Sequence, residues 1–373
     1  MTIFSRRPSL RWLVPLVAAL VLASAASVAS LISANAGSAL PQRTASQLLV
    51  DVQNARLDGM SGTIVQNAEL GLPNLPGIGG SGSSDMTSLV SGSHTLRLWY
   101  RDPNHVRLAL LGTLGESDVV RNGTDLWTWS SKDKSATHRT VPASKVDTPR
   151  SLASVSPVTP QQAADQALKA ISPSTDVSTD GTATVAGRSA YELVLQPKDS
   201  DSLVDSVRIA IDGKTHIPTR VQVHAKGQDK PSFEVGFTKF DPATPEASVF
   251  SFNPPPGTKV TESPSRADSL DKAPSGRSHA DTEAGPDSGT APKVVGSGWT
   301  SVLVVKVPAG TDNGTDTGAG SLAQALKALP AVSGDWGSGH LLKGALFSAL
   351  LTDDGRLVVG AVAPKALYAA LAG

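Results

Sequence analysis

The sequence predicts an α+β protein in which an antiparallel sheet is covered by helices on one side and a small second domain follows. Three observations predict this class. Short segments that alternate apolar and polar residues recur along the middle of the chain, helical patterns are few, and a stretch poor in large apolar residues precedes the C-terminal part. A length of 373 residues is too great for one compact core and suits two domains with connecting chain.

The N-terminal segment, residues 1–43, predicts export. Three arginines precede an uncharged run over residues 12–42, and an Ala-Asn-Ala sequence at 34–36 fits a signal-peptidase site. The alternative is a retained membrane anchor, because residues 12–34 would form about 34 Å of helix, enough to cross a bilayer. Both alternatives place the rest of the chain outside the cytoplasm, as a membrane-anchored or a secreted protein.

Residues 44–260 are predicted to form the sheet domain. Thr44 is a suitable N-cap, and the apolar spacing after it predicts an amphipathic helix over residues 45–58. A second helix is predicted to begin at Pro160. Strands with period-two alternation are predicted at residues 63–66, 96–101, 105–110, 119–120, 126–129, 136–141, 183–185, 191–195, 207–211, 221–223 and 233–237.

A long glycine-rich loop is predicted between the first two strands, from Leu70 to Ser93. It contains Leu72, Leu75 and Ile78, and solvated linkers seldom contain so many large apolar residues. We therefore expect this loop to act as a lid over an apolar surface.

Residues 261–298 hold three large apolar residues in 38. Such a segment cannot bury enough surface to offset its ordering entropy, so it is predicted to be a disordered linker. Residues 299–373 are predicted to form a small α/β domain. Its predicted elements are a strand over 299–307, a helix from Ser321, strands on either side of a turn at 353–355, and a last helix from Pro364.

Composition excludes several classes of function. The 33 basic and 33 acidic residues balance, so no long-range field favours nucleic acid. The chain has no cysteine, which excludes disulfides, thiolate catalysis, Cys-ligated zinc and a lipid anchor attached to cysteine. The seven histidines show no metal-binding spacing, and a nucleophile elbow is absent from the sequence. We therefore predict no enzyme, no metal and no cofactor.

Aromatic residues of the predicted strands allow two interpretations. Trp99, Trp127 and Trp129 lie on strands, and Phe233 and Phe237 belong to a phenylalanine-rich stretch. They either pack in a filled core or form the wall of an apolar cavity. In such a cavity an acyl chain would gain about 0.8 kcal/mol for each buried CH2 group.

The order of several motifs resembles the periplasmic lipoprotein carrier family, which is called LolA-like. Residues 98–108 hold an Arg and a Pro followed by a strand, and residues 119–129 hold a turn followed by Leu-Trp-Thr-Trp. The sequences at 57–63, 215–221 and 250–257 match in the same order. The resemblance covers residues 45–260. The sigma-factor regulators called RseB-like are related to this family and add a smaller second domain after a linker.

The resemblance implies an unclosed β-barrel with helices as its lid and a hydrophobic cavity for the acyl chain of a lipid or lipoprotein. It also implies that Arg101 and Arg107 hydrogen-bond to loop carbonyls near the lid. The predicted function is an exported acyl-chain carrier; the alternative is an envelope sensor whose second domain holds a membrane-bound anti-sigma factor, and a transporter is a further partner to consider. The ligand-binding residues so predicted are Leu72, Leu75, Leu98, Trp99, Arg101, Arg107, Leu108, Leu110, Trp127, Trp129, Phe233 and Phe237.

Overall fold

The computed structural model describes residues 40–73, 82–142, 171–263, 292–306 and 329–372, together with Asp165, Leu168 and Lys169. Nearly all of the predicted export segment lies outside these residues. Within the described ranges, no helix is both long enough and apolar enough to cross a membrane.

Two helices and two sheets are described from end to end. Asp165, Leu168, Lys169 and Ile171 are also helical, within the range of the helix predicted to begin at Pro160. The helices are α1 (Ala45–Asn54) and α2 (Pro364–Ala372), and short 3-10 helices cover Met86–Val90, Ala247–Phe250 and Gly298–Thr300. The strands of the large sheet are β1 (Met60–Ala68), β2 (Gly92–Asp102), β3 (His105–Leu111), β4 (Glu116–Asn122), β5 (Asp125–Ser130), β6 (Ser135–Thr140), β7 (Thr175–Val185), β8 (Arg188–Pro197), β9 (Val204–Asp212), β10 (Pro218–Ala225), β11 (Phe233–Asp241) and β12 (Lys259–Ser263).

The large sheet has 12 strands in the order β12-β6-β5-β4-β3-β2-β1-β11-β10-β9-β8-β7. Two meanders, β1 to β6 and β7 to β11, join where β1 pairs with β11. Every pair is antiparallel except β12 with β6, which is parallel, because the chain crosses the sheet before it pairs. β12 and β7 are the two edges, so the sheet is curved and unclosed, and the predicted fold class is confirmed.

Helix α1 begins at a capping box, as its sequence predicts. Thr44 Oγ1 accepts a hydrogen bond from the Gln47 backbone N–H at 3.2 Å, and the Gln47 side chain accepts one from the Thr44 N–H at 2.9 Å. The helix ends at Asn54, four residues before the predicted end. Its Leu48 is fully buried against Tyr191 and Ile211, so α1 covers part of one sheet face.

The second sheet has six strands in the order β13-β14-β18-β17-β16-β15. They are β13 (Lys293–Val295), β14 (Val302–Lys306), β15 (Ala331–Gly334), β16 (Gly337–Lys343), β17 (Ser348–Thr352) and β18 (Arg356–Gly360). Helix α2 packs on it through the fully buried Leu367.

The ends of the predicted linker are strands. β12 extends to Ser263 and β13 begins at Lys293, and both lie partly or wholly within residues 261–298. The helix predicted from Ser321 lies outside the described residues, apart from its last position, Leu329.

Candidate functional site

One face of the large sheet is continuously apolar, and we call it the apolar face. Because side chains alternate along a strand, residues paired across neighbouring strands share a face. The register aligns one row of such pairs across β8, β9, β10 and β11, and the row continues into β1 and β2. Its members are Leu193, Ile209, Val221, Val235, Gln66 and His94.

Described elements cover both ends of the apolar face. Helix α1 packs on the side of β8 and β9. The 3-10 helix Met86–Val90 packs on the side of β1 and β2 through Met86 and Leu89. Between these ends, Ile209, Val221 and Val223 are only half-buried. The face therefore keeps an apolar strip that the described residues cover incompletely.

Five of the predicted ligand-binding residues lie on the apolar face. Leu98 pairs with Leu108, and Leu110 is fully buried opposite Leu96. Phe233 and Phe237 lie on β11 opposite Ala68 and Ile64 of β1. These residues belong to one apolar cluster with the centre of the row.

The tryptophans predicted beside them lie on the opposite face. Trp99 follows Leu98 on β2, so its side chain points the other way. The register joins Trp99 to Arg107 on β3 and joins Val120 on β4 to Trp127 on β5. The structure therefore does not bring the tryptophans together with the leucines.

The chain itself fills the space above the tryptophans. Residues 247–254, which we call the strap, cross this face before β12 begins. The Phe252 ring lies 5.4 Å from Trp127 and 6.2 Å from Trp129 between ring centroids. Phe250 is fully buried and contacts the ring of His105 edge-on. Trp127 and Trp129 therefore pack against Phe252 of the strap.

Arg107 joins the strap to the sheet. Its Nη2 donates to Asp118 Oδ2 at 2.5 Å, and its Nη1 donates to the carbonyl of Val249 at 3.4 Å. The carbonyl that Arg107 contacts belongs to the 3-10 helix of the strap and not to the predicted lid. Arg101 lies near the end of β2, beside a register irregularity at Tyr100 and Asp102.

Burial and charge affect two acidic groups of the opposite face. Burial raises the pKa of the Glu116 carboxyl, and the neighbouring Asp118 raises it further. Arg188 donates two hydrogen bonds to Asp212, at 2.6 and 2.9 Å. Burial alone would raise the pKa of Asp212, but these bonds and those from Thr215 and Lys214 lower it to about 2.

A shallow groove of about 450 Å³ lies on the opposite face at β8, β9 and β10. Arg208 in this groove pairs with Asp180 and Glu192, and Arg220 also pairs with Glu192. Burial lowers the pKa of His224, and the nearby Arg208 lowers it further. The charges are of mixed sign, so the groove is a poor match for an acyl chain.

Beside the apolar face, each domain packs one leucine against an apolar cluster of the other domain. Leu346, in the turn between β16 and β17, packs against the first domain's cluster of Ile64, Leu96 and Phe233. In return Leu72 packs against the second domain's cluster of Leu329 and Leu342. Next to these side chains, the Ala345 N–H donates a hydrogen bond to the Leu70 carbonyl, with 2.7 Å between nitrogen and oxygen. The structure therefore places the predicted lid residue Leu72 in the domain contact, and Leu75 lies outside the described residues.

Sequence reasoning missed two buried residues and one half-buried residue of this region. Gln66 and His94 are polar side chains on the apolar face, with exposed fractions of 0% and 3%. Gln66 lies two residues after Ile64, and His94 lies two residues before Leu96. The period-two alternation could therefore have predicted that both side chains lie on the apolar face. Leu346 contacts the face from another domain, and no local pattern indicates that. Within the described ranges, no cluster of three metal-binding side chains is present.

Comparison with known proteins gives likeness at the level of solved structures. No family model matches the chain, and no curated protein matches it. The complex structure of Pseudomonas aeruginosa MucA/MucB aligns with 17% identity and a TM-score of 0.39 over 88% of this chain and 96% of that one. An uncharacterized conserved protein from Thermus thermophilus aligns with 11% identity and a TM-score of 0.34, over 59% of this chain and 99% of that one.

The LolA superfamily protein NE2245 from Nitrosomonas europaea is also similar, with 10% identity and a TM-score of 0.20 over 57% of this chain and 99% of that chain. The similar structures thus include MucB and a protein of the LolA superfamily, the family that the sequence motifs resemble. At these TM-scores the likeness supports no conclusion about function.

Proposed function

We propose that this chain is an exported protein that binds the acyl chain of a lipid or lipoprotein on the apolar face of its large sheet. The observation that supports the proposal is the apolar row of Leu193, Ile209, Val221 and Val235, with Ile209 and Val221 half-buried. An apolar strip of this kind on a protein surface is typical of a binding site.

The length of the row suits a long chain. Neighbouring strands lie about 4.8 Å apart, so the five intervals from β8 to β2 span about 24 Å along the sheet. Ile209 and Val221 are half-buried, and the other members of the row are buried, so a ligand along the whole row would have to displace the elements that cover its ends. Each CH2 group that the row takes from water contributes about 0.8 kcal/mol. A ligand chain of a dozen carbons therefore binds without any charged group in the site.

The test compares two substitutions at adjacent positions of β10. Val221→Lys places a charge on the apolar face, whereas Gln222→Lys places the same side chain on the opposite face. Displacement of a fluorescent fatty acid is measured for both variants. We expect Val221→Lys to weaken binding at least a hundredfold, because the lysine charge would be desolvated, and Gln222→Lys to keep it within threefold.

Folding is checked by circular dichroism, and Val221→Ala serves where Val221→Lys does not fold. Equal loss in both lysine variants would place the ligand elsewhere. Absence of fatty-acid binding by the wild-type chain, with a ligand-free mass in native mass spectrometry, would refute the function.

A second candidate function is an envelope sensor in which the second domain binds a membrane-bound anti-sigma factor. The contacts of Leu72 and Leu346 between the domains favour this candidate. An acyl chain on the apolar face would compete with Leu346 for the same apolar cluster, so ligand binding would affect the position of the second domain. Pull-down of a membrane partner by the full chain, lost on deletion of residues 299–373, tests this candidate. An equal pull-down by both chains would refute it.

A further inference from the structure

The apolar row ends in two polar side chains that are sealed from water. Gln66 on β1 and His94 on β2 are direct cross-strand partners, and their exposed fractions are 0% and 3%. Ile64 and Ala68 flank Gln66 on the same face of its strand, and all four lie in or beside the main apolar cluster. Polar groups in such surroundings are normally hydrogen-bonded.

Both side chains are anchored to the same short segment. Gln66 Nε2 donates to the carbonyl of Leu89 at 2.6 Å, and His94 Nε2 lies 2.9 Å from the carbonyl of Ser91. Leu89 belongs to the 3-10 helix Met86–Val90, and Ser91 is the residue that ends it. Each side chain therefore keeps one polar atom for another partner.

The anchors fix the chemistry of those two remaining atoms. A carbonyl accepts only donors, so the Gln66 amide must present its NH2 to Leu89 and its Oε1 elsewhere. For the same reason His94 carries a proton on Nε2. In the tautomer that this contact selects, Nδ1 is an acceptor.

Gln66 Oε1 and His94 Nδ1 are both buried without a hydrogen-bond partner among the described residues. Two acceptors cannot satisfy each other. Facing cross-strand residues have Cβ atoms about 5 Å apart, so the two acceptors belong to neighbouring side chains on the same face. A ligand that occupies the apolar row arrives at this pair from Val235, the neighbour of Gln66 on β11.

We propose that Gln66 and His94 form a polar end to the acyl site and select a ligand whose chain ends in a hydrogen-bond donor, such as a hydroxyl or an amide N–H. This inference rests on the proposed acyl binding and adds the class of ligand. A carboxylate or an ether lacks the donor, and its oxygen would face two acceptor atoms. The single hydrogen of such a donor pairs with one of the two acceptors and removes the cost of leaving that acceptor unpaired.

The test uses two competitors that differ in one donor, 1-tetradecanol and methyl tetradecyl ether. Each displaces a fluorescent acyl probe from the full wild-type chain. We expect the alcohol to bind about tenfold more tightly than the ether, since a satisfied buried acceptor contributes about one factor of ten. Comparable affinities for the two would overturn the inference, because a bound water would then suffice for both acceptors.

Variants test whether Gln66 and His94 cause the preference for the alcohol over the ether. In the double variant Gln66→Met and His94→Phe, the alcohol and the ether are expected to bind alike, since both acceptors are gone. Ile64→Val is the matched control, because it trims the same cluster and removes no polar atom; its preference should stay near tenfold. A preference that persists in the double variant would overturn the inference.

The outcomes separate this inference from the function on which it rests. If both competitors bind equally well to wild type, acyl binding stands and donor selection fails. If neither competitor displaces the probe and the probe itself does not bind, both fail together. The wild-type comparison needs no substitution, so it decides the question even where the double variant does not fold.

Discussion

The two faces of the large sheet differ in how they are covered. Over strands β2 to β5, the strap covers the face that lies opposite the apolar face. Phe250 of the strap is fully buried there. The apolar face is covered at its ends by α1 and the 3-10 helix Met86–Val90, and its middle stays half-buried. The three tryptophans of β2 and β5 therefore lie on the face with the strap, whereas leucine, isoleucine and valine, together with Phe233 and Phe237, line the apolar face.

The largest expected effect is a loss of stability when the packing of the strap is disrupted. Phe250→Ala removes a fully buried ring and should destabilise the protein by about 3–5 kcal/mol. Phe252→Ala is the control, because Phe252 is half-buried and should cost less. Both are measured by urea denaturation. Acyl-probe affinity of the folded molecules should not change; a folded Phe250→Ala variant without probe binding would assign the ligand to the strap side.

The next effect compares adjacent residues of β2 that point to opposite faces. Leu98→Asn places an amide on the apolar face and should weaken acyl-probe binding about tenfold, since burying an amide without a partner costs about 1–3 kcal/mol. Trp99→Leu on the opposite face should leave the affinity within twofold. The measurement is probe titration. The reverse result, with loss only in Trp99→Leu, would make the tryptophans the binding wall.

A smaller effect tests the leucine that the second domain places against the apolar cluster. Leu346→Ala removes apolar contact area, so the second domain should dock less tightly, and acyl-probe affinity should rise severalfold because a competitor for the cluster is gone. Leu303→Ala is the control, because Leu303 lies in the same domain with 40% exposure. Probe titration measures both. An unchanged affinity in Leu346→Ala would show that Leu346 and the ligand do not compete.

The smallest expected effect concerns the attachment of β12. His138 lies between Asp125 and Glu262, at 2.9 and 2.8 Å, and stacks on Trp127. Burial lowers the pKa of His138, but the hydrogen bonds and charges of Asp125 and Glu262 outweigh this and raise it. A raised pKa in the folded state means that the pairing stabilises fully below about pH 6.5, the ordinary value for histidine, and is lost as pH rises through the raised value.

The measurement for this pairing is the difference in Tm between wild type and His138→Asn from pH 5 to pH 9. We expect wild type to be the more stable at low pH and the difference to shrink as pH rises. Glu262→Gln leaves the Asp125 contact and should show a reduced pH dependence. A Tm difference that does not vary with pH would mean that the ring does not titrate with folding.

Local patterns predicted most of the sheet, because period-two alternation and turn residues are properties of short segments. The same alternation already places Leu98 and Trp99 on opposite faces of the sheet, because they are adjacent on one strand. The sequence alone could therefore have predicted that the ligand-binding residues divide between two faces. The strap, β12 and Leu346 could not be predicted in this way. Each depends on contacts between residues far apart in the chain, such as His138 with Glu262, and such pairings have no local sequence signal.

The positions of the two edge strands have a mechanical consequence. The chain leaves the large sheet at β12, one edge, whereas the second domain returns to the other edge, where Trp299 Nε1 donates to Thr175 Oγ1 of β7 at 2.7 Å. The β7 edge is therefore held directly to the second domain by a side-chain hydrogen bond. A force that moves this edge away from the second domain would load that bond together with the leucine contacts at Leu72 and Leu346.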